Sequence, residues 1–364
     1  MKTIILHDYF ESAEGGGRLS SVLAQGLHAD LAYGFARPHH PFVQGADHQP
    51  TERDLKAYSA LPLWRQFKLT QAFIHRTHFL KDYHTVIYSG FYTPLAVLQH
   101  LSGPNILYCH TPPRFIYDQR DFYLNSLSPW LRPALQAFIH YLQPRYENAI
   151  TQMTTIVANS ENVRKRIRYY LGQESIVVYP PCDTHRFTWR GQGHYYLSTA
   201  RLDPLKRVDL IVQAFLQMPD KHLIITSGGS ELLRLRKLAR YASHIHFTGW
   251  IDDLQLADLI GNAIATLYLP KDEDFGMSPL ESMSAGKPVI GVAEGGLLET
   301  IIERETGLLL SPPPTVSAIC EAVLTLTPQY ALTLRQACEQ QAHRFRTERF
   351  LREMRNMIKN KLID

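Results

Sequence analysis

Cysteine is scarce in this chain, four residues in 364, and Cys109, Cys182, Cys320 and Cys338 fall at no metal-ligand spacing. That scarcity points away from a disulfide framework and from a zinc site, and toward reduced thiols in a cytoplasmic protein. Long apolar runs are also missing. Stretches such as Thr3 to Leu6 and Ile264 to Leu269 are far shorter than the roughly 20 residues that cross a bilayer. Neither sign of charge dominates: 38 Lys and Arg stand against 34 Asp and Glu, a net charge of +4. So small an excess argues against a nucleic-acid partner, whose binders concentrate their basic residues. The fingerprint G-x-G-x-x-G is absent, which counts against an oxidoreductase that binds a dinucleotide. The opening MKTIILHDYF shows no small-residue cleavage site and reads as a first strand, not as a secretion signal.

What is present organises as two α/β domains. The length exceeds what one hydrophobic core usually holds together. Short β-branched or aromatic runs recur, each ending in small or polar residues: TIILHD from Thr3, TVIYSG from Thr85, NILYCH from Asn105, TTIVANS from Thr154 and SIVVYPP from Ser175. Helix-like stretches separate them, which is the pattern of βαβ units on a parallel sheet, with functional residues just past the strand ends. Pro180-Pro181 breaks the series, and a second begins at Tyr195 with YYLSTA, HLIITSG, IHFTG, ATLYLP, PVIGVA and GLLLSP. The expected domains are 1–182 and 183–344. A C-terminal helix over 345–364, with Phe345, Phe350, Leu351, Met354 and Met357 as its apolar members, is expected to pack back on the first domain. The basic excess sits in residues 1–182, with 17 Lys and Arg against 13 Asp and Glu, and suits an acidic substrate or an anionic lipid.

The sharpest local signal is Glu273-Asp274-Phe275-Gly276-Met277-Ser278-Pro279-Leu280-Glu281, followed by Gly286-Lys287-Pro288-Val289-Ile290. It comes after a strand, and Ser278-Pro279 marks a helix start. A glycine loop leading into a helix N-terminus offers free N–H groups to a phosphate or a sugar hydroxyl. In these residues the chain resembles the retaining glycosyltransferases of family 4, which share the GT-B fold of two Rossmann-like domains facing across a cleft. The resemblance implies that Glu273 faces a donor sugar and that Glu281 accepts hydrogen bonds from the ribose of its nucleotide. It also implies that Phe275, Gly276, Met277 and Ser278 line the donor.

Other segments extend the resemblance over nearly the whole chain. Arg201-Leu202-Asp203-Pro204-Leu205-Lys206 is similar to the family's Gly-Arg-Leu-x-x-x-Lys-Gly, and Arg201 and Lys206 could stabilise a departing diphosphate. Ala200 and Arg207 stand where the family often has glycine. Gly15, Gly16 and Gly17, after Glu14, read as a phosphate-approaching turn. His110 in His-Thr-Pro-Pro-Arg, similar to bacterial mannosyltransferases of the family, is a candidate partner for the reacting sugar. No other histidine is assigned a catalytic part. Gly228, Trp250 and Ile251 are expected at the nucleotide.

Leu61 to Leu80 and Trp130 to Tyr146 interleave aromatic with basic residues, either as helices at a lipid interface or as core-facing helices with solvated backs. The resemblance implies hexose transfer, mannose favoured, from a nucleoside diphosphate sugar to a glycan or lipid-linked hydroxyl. No cofactor or metal is expected, since the cations and helix-end amides can balance the diphosphate. A double displacement through a covalent sugar ester, a related epimerase or hydrolase, and a non-catalytic sugar-nucleotide scaffold are the alternatives.

Overall fold

The β-branched runs form two parallel sheets in a computed structural model that describes residues 2–11, 15–37 and 51–360. Glu14 and the tail 361–364 of the expected C-terminal helix lie outside the described residues. The chain divides into two compact units: Met1–Tyr179 with Phe350–Asp364, and Pro180–Arg349.

In unit 1 the strands are β1 (Thr3–His7), β2 (Asp30–Tyr33), β3 (Glu52–Asp54), β4 (Thr85–Ser89), β5 (Asn105–Cys109), β6 (Thr155–Ala158) and β7 (Ile176–Val177). They lie in the order β3-β2-β1-β4-β5-β6-β7, every pair parallel. Alternate side chains of β1 serve opposite faces. Ile4 and Leu6 pack with Leu69 and Phe73 of the helix Pro62–His75 and with Ile139 and Leu142 of the helix Arg132–Thr151. Ile5 packs with Leu19 and Leu23 of the helix Gly15–Leu27 and with Phe350 and Met354. Burial on both faces explains why these strands read as unbroken apolar runs.

Unit 2 repeats the plan with β8 (Tyr195–Ser198), β9 (His222–Thr226), β10 (Ile245–Gly249), β11 (Thr266–Leu267), β12 (Val289–Val292) and β13 (Gly307–Leu310), in the order β10-β9-β8-β11-β12-β13. In each unit the order reverses beside the first strand, between β1 and β4 and between β8 and β11. The loops beyond those strand ends diverge there and leave a crevice, the usual ligand position in open parallel sheets.

The C-terminal helix packs back on the first sheet as expected, but it begins at Thr347 and leaves out Phe345. One helix, Arg335–His343, ends in unit 2, and a second, Thr347–Asn360, returns to the core of unit 1. Phe345 belongs to neither. Its ring lies 5.7 Å from that of Phe275, and its carbonyl accepts a 2.7 Å hydrogen bond from the Cys182 N–H. Those two contacts pull the backbone out of a helix that composition alone would continue.

Candidate functional site

Because the unit 2 sheet is parallel, the loops after β8, β9, β10, β11 and β12 share its C-terminal rim, and hydrogen bonds join those after β8, β9, β11 and β12. The β8 loop meets the β9 loop where the Leu202 N–H donates to the Gly228 carbonyl at 2.9 Å. Trp250, after β10, presses on the same glycine: a Cβ at Gly228 would stand 2.5 Å from its indole Nε1. The other end of the β8 loop meets the β11 loop, where the Lys271 N–H donates to the Leu205 carbonyl at 2.7 Å. The Lys206 ammonium lies 2.6 Å from the Glu273 carboxylate and donates to the Tyr268 hydroxyl at 3.2 Å. Burial works against the charge on Lys206, but Tyr268 and Glu273 outweigh it and hold the ammonium above the usual lysine range.

Glu273 is fixed from behind as well. The Gly296 N–H donates to its carbonyl at 2.8 Å, and a Cβ on Gly296 would fall 2.4 Å from the Phe275 Cα. Glycine is required there because two backbones touch. Gly276 precedes the helix Met277–Ser284 at φ 94° with no side-chain cap, and the first N–H groups of that helix have no partner within it. Arg207 takes a left-handed conformation, φ 51°, and its guanidinium reaches Glu294 at 2.6 Å.

Unit 1 holds a second cluster at its own switch point. His7 ends β1 and His110 follows β5; with Asp8, Gly16 and Phe91 they border a cavity of about 230 Å³, and Ser89 ends β4, the strand between β1 and β5. The His7 Nδ1 lies 2.9 Å from the Ser89 carbonyl and 3.0 Å from the Ser20 hydroxyl. Ser20 Oγ stands 2.8 Å from Ser89 Oγ, which stands 2.9 Å from His110 Nε2. Burial pushes His7 down to about 4 and His110 down to about 3, so both rings are neutral near pH 7. The Asp8 carboxylate accepts from the N–H groups of Phe91, Tyr92 and Thr93 at 2.8, 2.9 and 3.1 Å. Burial pushes it up to about 7 against the pull of those donors.

The sequence-predicted residues thus fall into two groups. Arg201, Lys206, Gly228, Trp250, Ile251, Glu273, Gly276, Met277 and Ser278 all stand on the unit 2 rim. Glu281 lies on the second turn of the Met277 helix, half-buried. Arg201 is exposed, 3.8 Å from Asp203. Phe275 is 2% exposed and turned onto Phe345, so it is part of the core and not of a donor-lining surface. Gly15, Gly16 and Gly17 are not a turn but the first turn of the helix Gly15–Leu27. They lie with His110 in unit 1, where a Cβ on Gly16 would stand 3.7 Å from the rings of His110 and His7. His7, Asp8, Ser20 and Ser89 were not foreseen. His7, Asp8 and Ser89 stand at the strand ends in TIILHD and TVIYSG, a position that carried the signal; Ser20 had none.

Residues 184–345 match the family model described as Glycosyl transferases group 1. The chain is similar to the alpha-1,3/1,6-mannosyltransferase ALG2 of Dictyostelium discoideum, 24% identical over 57% of this chain and 58% of that protein. It is also similar to the GDP-Man:Man(3)GlcNAc(2)-PP-Dol alpha-1,2-mannosyltransferase of Xenopus tropicalis, 26% identical over 49% of this chain and 42% of that one. It therefore spans about half the length of these curated relatives. Among solved structures, sucrose-phosphate synthase from Thermosynechococcus elongatus superposes with a TM-score of 0.78 at 18% identity, covering 99% of each chain. Anabaena Alr3699/HepE, solved with UDP and glucose, gives 0.75 at 16% identity, again over 99% of each. Residues 184–345 are accordingly a glycosyltransferase group 1 domain, in a chain that has the GT-B fold.

Proposed function

We propose that the protein transfers a hexose from a nucleoside diphosphate sugar to a hydroxyl of a glycan or lipid-linked acceptor, with retention and without a metal. The observation that carries this reading is the Lys206–Glu273 pair, 2.6 Å apart on the rim of the β8/β11 switch point, beside the start of the Met277 helix. When the anomeric C–O bond breaks, negative charge grows on the leaving phosphate. Lys206, Arg201 and the N–H groups at the helix start are the positive groups on that rim that take it up. The acceptor oxygen bonds to the same face of the sugar, and its proton passes to the departing phosphate oxygen. Glu273, pinned by Lys206 and Gly296, orients sugar hydroxyls; Glu281 serves the ribose; Gly228, Trp250 and Ile251 flank the base.

GDP-mannose is the favoured donor because the relatives named above are mannosyltransferases, one of them named for GDP-mannose. UDP-glucose comes next, from the UDP and glucose named with HepE. A thermal-shift panel of GDP-mannose, UDP-glucose and the free diphosphates tests the assignment. A ligand at 100 times its Kd stabilises the folded state by about 2.7 kcal/mol. Failure of every nucleotide sugar to raise Tm removes the proposal. Donor consumption without acceptor would favour an epimerase or hydrolase, and binding without turnover a scaffold. Transfer that survives EDTA supports the metal-free mechanism.

The acceptor class draws on a surface of unit 1. No described helix is long and apolar enough to cross a membrane. Yet Trp64 and Trp130 are 54% and 76% exposed. Trp64 stacks on Phe67 at 5.2 Å, Phe67 meets Tyr141, and Arg145 lies 3.9 Å over the Tyr141 ring. Aromatic edges beside a cation suit the interface of an anionic bilayer, which would bring a lipid-linked acceptor to the protein. Co-sedimentation with vesicles containing phosphatidylglycerol should fall several-fold in Trp64→Ala/Trp130→Ala; equal sedimentation would sink the membrane contact.

A further inference from the structure

The hydroxyls between His7 and His110 have more to do than fill space, and counting their protons shows what. A carbonyl oxygen only accepts, so the 2.9 Å contact with the Ser89 carbonyl puts the His7 proton on Nδ1. Ser20 Oγ is within 3.0 Å of the Gly16 carbonyl, an acceptor that its single proton can satisfy. With that proton committed, the 2.8 Å contact between Ser20 and Ser89 holds only if Ser89 donates to Ser20. Ser89 then has no proton left for His110. The 2.9 Å contact with His110 Nε2 must be a bond donated by the ring.

The opposite direction makes fewer hydrogen bonds. If Ser89 donated to His110, either Ser20 would turn from Gly16 to Ser89, or two hydroxyl oxygens would meet at 2.8 Å with no proton between them. Bonds left unmade in a buried place are costly, so the run reads one way, from His110 to Ser89 to Ser20 to the Gly16 carbonyl. The rings are neutral, as their burial requires, and tautomer choice is therefore real. With Nε2 carrying the proton, Nδ1 presents a lone pair.

We propose that Ser89 and Ser20 are positioning residues that hold His110 as its Nε2–H tautomer, so that its Nδ1 accepts a hydrogen bond from a hydroxyl of a sugar entering the unit 1 cavity. This rests on the reading of His110 as a residue that meets the sugar. It adds the direction of the bond: the sugar hydroxyl donates. A sugar lacking that hydroxyl, or carrying an ether oxygen there, would leave the Nδ1 lone pair facing an acceptor.

Imidazole ¹⁵N shifts separate protonated from unprotonated ring nitrogens and need no turnover. The full chain labelled with ¹⁵N-histidine is measured at pH 7, with His110→Asn to identify the His110 signals. The wild type should show Nε2 protonated and Nδ1 not. Ser20→Ala removes the acceptor for the Ser89 proton, leaves His110 Nε2 as its nearest alternative, and should switch the ring to the Nδ1–H form. Ser89→Ala should give an averaged pair of signals, and Ser89→Thr, which keeps the hydroxyl, should restore the wild-type pattern. A wild-type ring protonated on Nδ1, or an unchanged pattern in both alanine variants, overturns the proposal.

Kinetics with whichever donor turns over supplies the second arm. Ser89→Ala should cost about tenfold in kcat/KM, with little added by His110→Asn on the same background. If the tautomer behaves as stated but the protein transfers no sugar from any donor, the functional reading fails and the tautomer assignment stands. If transfer occurs and Ser89→Ala leaves it unchanged while shifting the tautomer, the positioning role is overturned.

Discussion

At the scale of single residues, magnitudes separate stability from function. Lys206→Met removes one of the cations proposed to meet the leaving group and should lower kcat/KM by about 10² to 10³, the usual cost of losing one preorganised charge donor. Glu273→Gln should reduce turnover while nucleotide still binds, and Glu281→Ala should weaken nucleotide binding; calorimetric titration with the free diphosphate distinguishes the two. Unchanged kinetics in both glutamate variants would remove the site assignment. Gly16→Ala offers a cleaner separation. Its Cβ would meet the His7 and His110 rings at 3.7 Å, ordinary contact, on a helix that favours alanine. Tm should hold or rise, yet the methyl takes up space in a cavity of about 230 Å³. Transfer should fall at least tenfold; a fully active Gly16→Ala would mean that the cavity receives no ligand.

At the scale of elements, the returning helix Thr347–Asn360 is the clearest case of a piece that unit 1 cannot spare. Phe350 is 1% exposed, its ring 5.8 Å from Tyr108, and Met354 is wholly buried beside it. Phe350→Ala should cost unit 1 about 3–5 kcal/mol, measured by urea unfolding, because the cavity would open in the middle of a packed face. The same element shows where sequence reading stopped. Helical composition runs on from Glu339, and nothing local announces that Phe345 will be claimed by Phe275 and Cys182. The sheets were legible where a strand is a buried apolar run, as in β1, β4, β5, β6, β8 and β12. β3, with the sequence Glu-Arg-Asp, is exposed at every residue and pairs at the sheet edge through its backbone, so no pattern betrayed it. Glu273, Gly276 and Glu281 lie in one local segment and could be found together. Ser20 and Ser89 are 69 residues apart, and His7 and Ser89 are 82 apart. Only the fold makes neighbours of them. The glycine run misled for the converse reason: glycine signals a turn, but here it opens a helix whose later turns are held by Leu19 and Leu23 in the core.

For the whole molecule, the two units carry buried ionisable groups that titrate in different windows, so stability should depend on pH on both sides of neutrality. In unit 1, His7 and His110 have folded values pushed well below the unfolded 6.5, to about 4 and about 3. The unfolded chain binds their protons first, and stability is lost as pH falls below 6.5. Asp8, pushed up to about 7, acts in the opposite sense, since the folded state takes its proton first. The two histidines and the carboxyl therefore act against each other over the acid range, and their contributions partly cancel. In unit 2, Lys287 is wholly buried, its ammonium 3.5 Å over the Trp189 ring and donating to the Gly191 carbonyl. Burial, aided by the charge of Arg335, lowers it to about 7 from 10.5. Between pH 7 and pH 9 the unfolded chain keeps that proton while the folded state sheds it, so stability rises, by about 2 kcal/mol over the interval. Lys206, raised above its usual range, keeps its proton in both states here and contributes no slope. Lys287→Met keeps the length of the chain over Trp189 and removes the titration. Urea unfolding at pH 7 and pH 9 should show the rise in the wild type and a flat response in the variant. An equal rise in both would mean that Lys287 stays protonated in the folded state, held by the indole face and the Gly191 carbonyl against the cost of its burial.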